Sequence, residues 1–298
     1  MAGAGELIEH RLPYEPPLAA DALFRFLGDR TIPGVESFDG TTFRRAVRQP
    51  DASAAVIELA AHPDREEVRL RVFGEERVDL SVLSATARRL LDLDADPSIV
   101  DTALSLDPSL RPLVRATPGL RLPGTVDGFE LVVRAILGQQ ISVRAARTFA
   151  GRIAEACGTP LERPVGEVTH LFPTAERLAT SALHGLGLTT AREATLRRVA
   201  ELVASGELDL SGAADLEGTR ERLRAVRGIG PWTVAYVSMR ALEDRDAFPV
   251  EDLGVRLGFE SLGLASTPNA IRDHAERWRP WRAYAVMHLW HSLEKPKP

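Results

Sequence analysis

The sequence has a single cysteine, Cys157, in 298 residues. One thiol cannot close an intrachain disulfide, and it cannot supply the ligands of a cysteine-held iron–sulfur cluster. Such usage suits a reducing compartment, so a cytoplasmic location is expected. Lysine is nearly missing as well: of 37 basic residues, only Lys295 and Lys297 in the tail are lysine. No lysine amine is therefore available in the folded body to form a Schiff base. No stretch approaches the roughly 18 consecutive apolar residues of a membrane span. Met1 to Glu9 has no basic start followed by an apolar run, so no secretory signal is expected. Low-complexity tracts and repeats at a solenoid period are also missing.

A strong charge of one sign is lacking too. The chain carries 37 Lys+Arg against 42 Asp+Glu, a net −5. Its distribution says more: residues 219–298 hold 13 basic and 10 acidic side chains, and the remainder 24 and 32. A local basic surplus can bind a polyanion on an acidic protein. The apolar fraction of 44% is ordinary for a globular chain of this length.

The pattern along the chain predicts an α+β protein. A short helix is expected over Asp21–Leu27, after Pro16-Pro17. Strand-like runs follow at Val35–Phe38, Thr42–Gln49, Ala54–Ala60 and Glu67–Phe73, with a hairpin signal at Asp39-Gly40. Together these form an N-terminal antiparallel sheet domain over 1–80. A mostly α-helical body is expected over 81–298, starting with helices at Ser81–Leu91 and Pro97–Leu106. Phe129, Val132, Val133, Ile136 and Leu137 repeat at helical spacing until Gly138-Gln139-Gln140-Ile141 interrupts them. Ser142 is placed to cap the next helix, which should end near Cys157 with Gly158 as a C′ glycine. Residues 159–173 carry Pro160, Pro164 and Pro173 and read as a linker or long loop. Helices are expected at about 174–183, 190–205 and 215–226.

The most informative stretch is Leu223-Arg-Ala-Val-Arg-Gly-Ile-Gly-Pro-Trp-Thr-Val-Ala235. One helix runs into a Gly-x-Gly turn and a second begins at once, with Pro231 suited to its first position. The glycines let the backbone turn sharply and approach another surface closely. The second helix directs free N–H groups out of the turn, a ready phosphate site. An ordinary helix–helix turn would account for the same residues taken alone. A dinucleotide fingerprint would not, because no strand precedes the turn and Thr233 stands where the third glycine would be.

Four segments carry a resemblance: Leu120-Arg-Leu-Pro-Gly124, Val133-Arg-Ala-Ile-Leu-Gly-Gln139, Gly228-Ile-Gly-Pro-Trp232 and Glu276-Arg-Trp-Arg-Pro-Trp-Arg-Ala-Tyr-Ala285. With them, nearly the whole chain resembles the helix-hairpin-helix DNA glycosylases, and among these the bacterial 3-methyladenine glycosylase II family. The resemblance implies a TATA-binding-protein-like sheet domain, then two helical subdomains with the hairpin at 223–235. It implies a monofunctional enzyme of base excision repair. Such an enzyme flips an alkylated base out of double-stranded DNA and hydrolyses its N-glycosidic bond, leaving an abasic site. The expected partner is double-stranded DNA with alkylated bases, with no membrane and the protein a monomer. No cofactor is expected for catalysis.

The same resemblance implies that Gly228, Gly230 and Thr233 meet a DNA phosphate. It also implies a Na+ or K+ ion held in the hairpin by the backbone carbonyls of Arg224, Val226 and Ile229. Arg227 departs from the proline often found there, but only backbone is needed at that place. Asp252 lies twenty residues beyond Trp232, where the superfamily keeps its catalytic aspartate at the start of a helix. Cleaving an N-glycosidic bond builds positive charge on the sugar, and a fixed anion stabilises it and orients water. Glu251 is the neighbouring competitor, and a plain N-cap role is the alternative for Asp252.

Trp232 and Tyr236, four apart, and Trp290 are implied to surround the flipped base. Electron-rich rings suit a cationic purine, at about 0.5–2 kcal/mol per well-placed ring. Core packing would explain aromatic residues at this spacing equally. Phe26 matches an aromatic that closes the base pocket, Gln139 lies at its rim, and Gln140 matches the wedge that fills the vacated stack. Gln140 replaces a leucine of one relative and Leu253 a tyrosine. Trp278 and Trp281 are assigned to packing. A lyase of this superfamily would use a lysine in the hairpin region. In the endonuclease III branch that lysine falls where Trp232 stands here.

Overall fold

The computed structural model describes residues 7–74, 78–211 and 215–294. Five strands form one antiparallel sheet: β1 (Leu7–Pro13), β2 (Glu36–Phe38), β3 (Thr42–Arg48), β4 (Ala54–His62) and β5 (Glu67–Gly74), in the order β1-β5-β4-β3-β2. The expected Asp39-Gly40 turn joins β2 to β3. Asp39 Oδ1 accepts the N–H groups of Thr41 and Thr42, and Gly40 supplies a φ of +102°. Helix α1 (Ala20–Gly28) buries Leu23, Phe24, Phe26 and Leu27.

Thirteen α-helices lie in the described residues, and twelve follow the sheet or its hairpin. These are α2 (Leu80–Leu91), α3 (Pro97–Leu104), α4 (Arg111–Ala116), α5 (Gly128–Gly138), α6 (Val143–Cys157), α7 (Ala175–Thr180), α8 (Thr190–Ala204), α9 (Leu216–Ala225), α10 (Pro231–Arg240), α11 (Leu253–Ser261), α12 (Pro268–Ala275) and α13 (Arg282–Ser292). None is long and apolar enough to cross a membrane. Ser142 caps α6 as expected, accepting the Ala145 N–H.

Two expectations fail. Residues 159–173 are not a linker: β6 (Thr159–Val165) and β7 (Val168–Leu171) form a hairpin. Leu161, Val168 and Leu171 pack on Ala46 and Val56 of the sheet, and the Thr169 and His170 N–H groups both reach Gly34 O. Pro160 and Pro164 are tolerated because β6 has only one partner strand. Gly158 is not a left-handed C′ residue either. It is the extended C-cap of α6 (φ −72°, ψ 177°), where a Cβ would lie 2.3 Å from Ala154 O and 2.5 Å from Leu171 O. Strand β1 and helix α4 were not anticipated.

Two large apolar cores result. The first joins one face of the sheet to α2–α4 and α11–α13. The second is built by α5–α10 with Ile32 and Val35. The Leu120–Gly124 segment is a clasp in the first. Arg121 is buried and donates to the carbonyls of Ala95 (2.5 Å) and Glu15 (2.6 Å), while Arg240 of α10 binds the carbonyls of Pro123 and Gly124.

A buried ion quartet ties α5 to the sheet. Arg45 pairs with Glu36 at 2.9 Å and Glu130 at 2.7 Å, and Arg134 pairs with both carboxylates at 3.1 Å. Burial opposes ionisation of Glu130, but Arg45 and Arg134 outweigh it and hold its carboxyl below the ordinary value.

Candidate active site

A cleft of about 1390 Å³ opens where the two cores meet. Its hairpin wall is the Gly228–Gly230 turn and the first turns of α10, with α9 leading into the turn from outside the cleft. Gly228 has φ +95°, and a Cβ there would lie 2.3 Å from Thr195 Oγ1, so only glycine fits. Gly230 differs: it is the N-cap of α10 at φ −95°, and a Cβ would meet nothing within 4 Å. Among the described residues, the N–H groups of Gly228, Gly230, Trp232 and Thr233 reach no protein acceptor. The first helical bond is Val234 N to Gly230 O. Four donors beside the positive end of a helix dipole form an anion site. The Thr233 side chain is buried and accepts from Gln139, so only its backbone faces outward.

At the hairpin, the Val226 carbonyl accepts the Ile229 N–H. No backbone N–H among the described residues reaches the carbonyl of Arg224. These carbonyl lone pairs are the donor type a hard monovalent ion takes, so the residues fit the expected cation.

Asp252 is the N-cap of α11 and its Oδ1 accepts the Val255 N–H at 2.9 Å. Capping is only part of its setting. The Trp290 indole N–H donates to Oδ1 at 2.8 Å and that of Trp232 to Oδ2 at 2.6 Å. Three N–H groups from three helices fix one half-buried carboxylate. Glu251 is exposed, and among the described residues no side-chain hydrogen bond or ion pair holds it.

Gly254 is the residue that permits this. A Cβ there would fall 2.6 Å from Trp290 Cδ1 and 3.0 Å from Asp252 Oδ1. A glycine in the first turn of a helix, where it is a poor former, is a signal the sequence reading passed over.

The four ring positions converge. Trp232 stacks on Tyr236 (centroids 5.2 Å, 9°), Tyr236 meets Trp290 at 6.3 Å, and Trp290 lies parallel to Phe26 at 6.3 Å. Phe26 is buried behind Trp290 and does not line the cleft. Gln139 lines the cleft, but its side-chain Nε2 donates to Gly228 O (3.0 Å) and Thr233 Oγ1 (2.9 Å), and Arg192 donates to its backbone carbonyl at 2.8 Å. Gln140 is exposed at the mouth with φ +60°, a left-handed conformation rare outside glycine.

These features match a family model described as the HhH-GPD superfamily base excision DNA repair protein, over residues 133–282. The chain belongs to that superfamily. The AlkA N-terminal domain model matches residues 9–127 of this HhH-GPD member. It is 34% identical to the DNA-3-methyladenine glycosylase 2 of Escherichia coli, across 95% of this chain and 97% of that one. It is 41% identical to a probable bifunctional transcriptional activator/DNA repair enzyme AlkA of Mycobacterium tuberculosis. That alignment covers 99% of this chain but only 59% of the relative, so the chain spans about three-fifths of that protein's length. The 3-methyladenine DNA-glycosylase from Archaeoglobus fulgidus shares the fold, with a TM-score of 0.80 and 22% identity over 94% and 97% of the two chains.

The HhH-GPD site also holds arginines that sequence reading missed. Arg240 donates to the Tyr236 phenol oxygen at 2.9 Å. Burial would raise the Tyr236 pKa, yet Arg240, Arg30 and Arg134 together hold it below the ordinary value. Arg240 and Arg30 were legible only as cations four residues after Tyr236 and Phe26, a spacing shared by many solvated helix ends.

Proposed function

We propose that the chain is a monofunctional DNA glycosylase that excises alkylated bases from double-stranded DNA, acting as a monomer. The observation that carries this is Asp252, an anion fixed by two indoles and a helix N-terminus within an aromatic cleft. The anion-binding hairpin on the same cleft grips a phosphate through Gly228, Gly230 and the α10 N-terminus. Gln140 enters the duplex as the target base leaves it, an extrusion that costs a few kcal/mol and is cheapest for damaged pairs. Gln139 holds the wedge against the hairpin.

The C1′–N bond then breaks and its electron pair departs with the base. Asp252 stabilises the oxocarbenium-like sugar and orients the water that adds to C1′. The water's second proton is released, and the balance is one abasic site and one free base. The indole N–H groups hold the carboxylate at one place, so little reorganisation is needed as charge develops. The carbonyls of Arg224, Val226 and Ile229 would hold Na+ or K+ and rigidify the hairpin.

The alkylated-base assignment rests on the names of the Escherichia coli and Archaeoglobus fulgidus relatives and on rings suited to a cationic purine. Mass spectrometry of bases released from methylated duplex DNA tests it. Release of 3-methyladenine is expected; release of unmodified bases only, or of none, would refute the assignment.

A further inference from the structure

The loop that carries the Gln140 wedge has few backbone bonds of its own. Between α5 and α6, the Gln139 N–H reaches Ile136 O at 3.4 Å, and among the described residues no backbone N–H donates to the carbonyl of Gln139, Gln140 or Ile141. A segment so lightly tied would give way when pressed into a stacked duplex. What fixes it comes from another helix. Arg192, half-buried in the first turn of α8, donates Nη2 to the Gln139 carbonyl at 2.8 Å, across 53 residues. The Gln139 side chain then crosses to the hairpin, to Gly228 O and Thr233 Oγ1. Three residues after Arg192, on the same helix face, the buried Thr195 places its hydroxyl 3.0 Å from Arg227 O and against Gly228. One face of α8 therefore touches both loops, and Gln139 closes the circuit between them.

We propose that Arg192, aided by Thr195, is a positioning residue for base extrusion: α8 braces the wedge against the hairpin that grips the phosphate. This rests on the glycosylase reading and adds a component to its site. Pushing a base out of the stack sets the Gln140 tip against a backbone held at Gly228 and Gly230. The push is effective only if the two loops keep their separation. A guanidinium on a carbonyl makes a charge-assisted bond, stronger than a neutral one. The brace is itself anchored, because Leu196, Val199 and Ala200 of α8 lie in the second core. Arg192 is not among the residues that line the cleft. It therefore acts on the step that brings the base into the cleft and not on the bond cleavage that follows.

The test measures single-turnover release of 7-methylguanine from two duplexes, one with the lesion paired to cytosine and one with it opposite an abasic analogue. Extrusion breaks a base pair in the first and none in the second, so it costs more in the first. Wild type, R192M, R192K and T195V are compared, with the melting temperature of each. R192M should fall about tenfold or more on the paired lesion, the scale of losing one hydrogen bond to a charged group. On the unpaired lesion it should stay within about threefold of wild type. T195V, nearly isosteric, should show the same split in smaller degree. R192K, whose ammonium can donate to a single carbonyl, should recover part of the loss. A 2-aminopurine beside the lesion gives a readout before cleavage: its fluorescence rise on unstacking should be smaller with R192M than with wild type. Equal losses on both duplexes, R192M within about twofold of wild type on the paired lesion, R192K no better than R192M, or an undiminished fluorescence rise would overturn the proposal and leave the glycosylase reading standing. A wild-type chain that releases the alkylated base from neither duplex would overturn that reading and the proposal with it.

Discussion

Replacing Glu130 by Gln perturbs the link between the sheet and α5, the helix that ends at the Gln139-Gln140 wedge. The change is nearly isosteric but leaves Arg45 and Arg134 facing Glu36 alone, with a net positive charge in a buried place. Breaking a buried ion pair from one side costs about 3–5 kcal/mol, because the remaining charge cannot be hydrated. Over 298 residues, unfolding entropy near 2.1 cal/mol/K per residue sums to about 0.6 kcal/mol/K. The melting midpoint should therefore fall by roughly 5–8 °C. Pairing Glu130→Gln with Arg45→Met removes one charge of each sign. The double variant should lose less than the two single losses combined, by about 1 kcal/mol or more. Calorimetry on the four proteins completes the cycle. A Glu130→Gln variant within 1 kcal/mol of wild type, or strictly additive losses, would refute the claim that these charges act as one unit.

Other expectations concern the hairpin, pH and the nucleophile. Gly230→Ala should leave stability unchanged, since its Cβ meets open space, yet weaken DNA binding if a phosphate approaches there. Gly228→Ala should lower both, and a Gly230→Ala protein with undiminished affinity would argue against the phosphate site. Burial, with a smaller contribution from His291, lowers the His288 pKa to about 4. The unfolded chain takes up that proton near pH 6.5. The contribution is complete above about pH 6.5 and is lost as pH falls to 4, amounting to about 3 kcal/mol. His288→Leu should flatten that part of the stability profile, and an unchanged slope would contradict the assignment. Borohydride added to protein and lesion DNA should trap no covalent adduct, because no lysine is among the described residues that line the cleft, and the sequence's two lysines, Lys295 and Lys297, stand 43 and 45 residues beyond Asp252. An adduct at the yield of a lyase control would show an amine nucleophile.

What was legible in the sequence follows from how each signal arises. Strands β2–β5 alternate or run apolar between clear turn residues, so their existence could be read. β1 places Glu9, His10 and Arg11 among few apolar residues because it is an edge strand. β6 carries prolines for the same reason, and α4 is six residues long with Pro112 in its first turn. In the site, the resemblance carried by the hairpin and its flanking segments pointed to Asp252, Trp232, Tyr236 and Trp290. Their bonding did not follow from spacing: the indoles expected as faces for a base also clamp the carboxylate by their edges. Thr233 and Gln139 both line the cleft as expected of ligand-facing positions, but their side chains also bond to each other, a contact across 94 residues that no local pattern encodes.

The central claim is that Asp252 is the anion on which cleavage depends. Asp252→Asn keeps the shape and the oxygen that accepts the Val255 N–H, but removes the charge. Single-turnover release of 3-methyladenine from duplex DNA should fall about 10²–10³-fold, in line with losing one electrostatic transition-state contact. Binding to abasic-analogue DNA should persist, and Glu251→Gln should behave nearly as wild type. An Asp252→Asn enzyme within threefold of wild type, with Glu251→Gln inactive, would contradict the account.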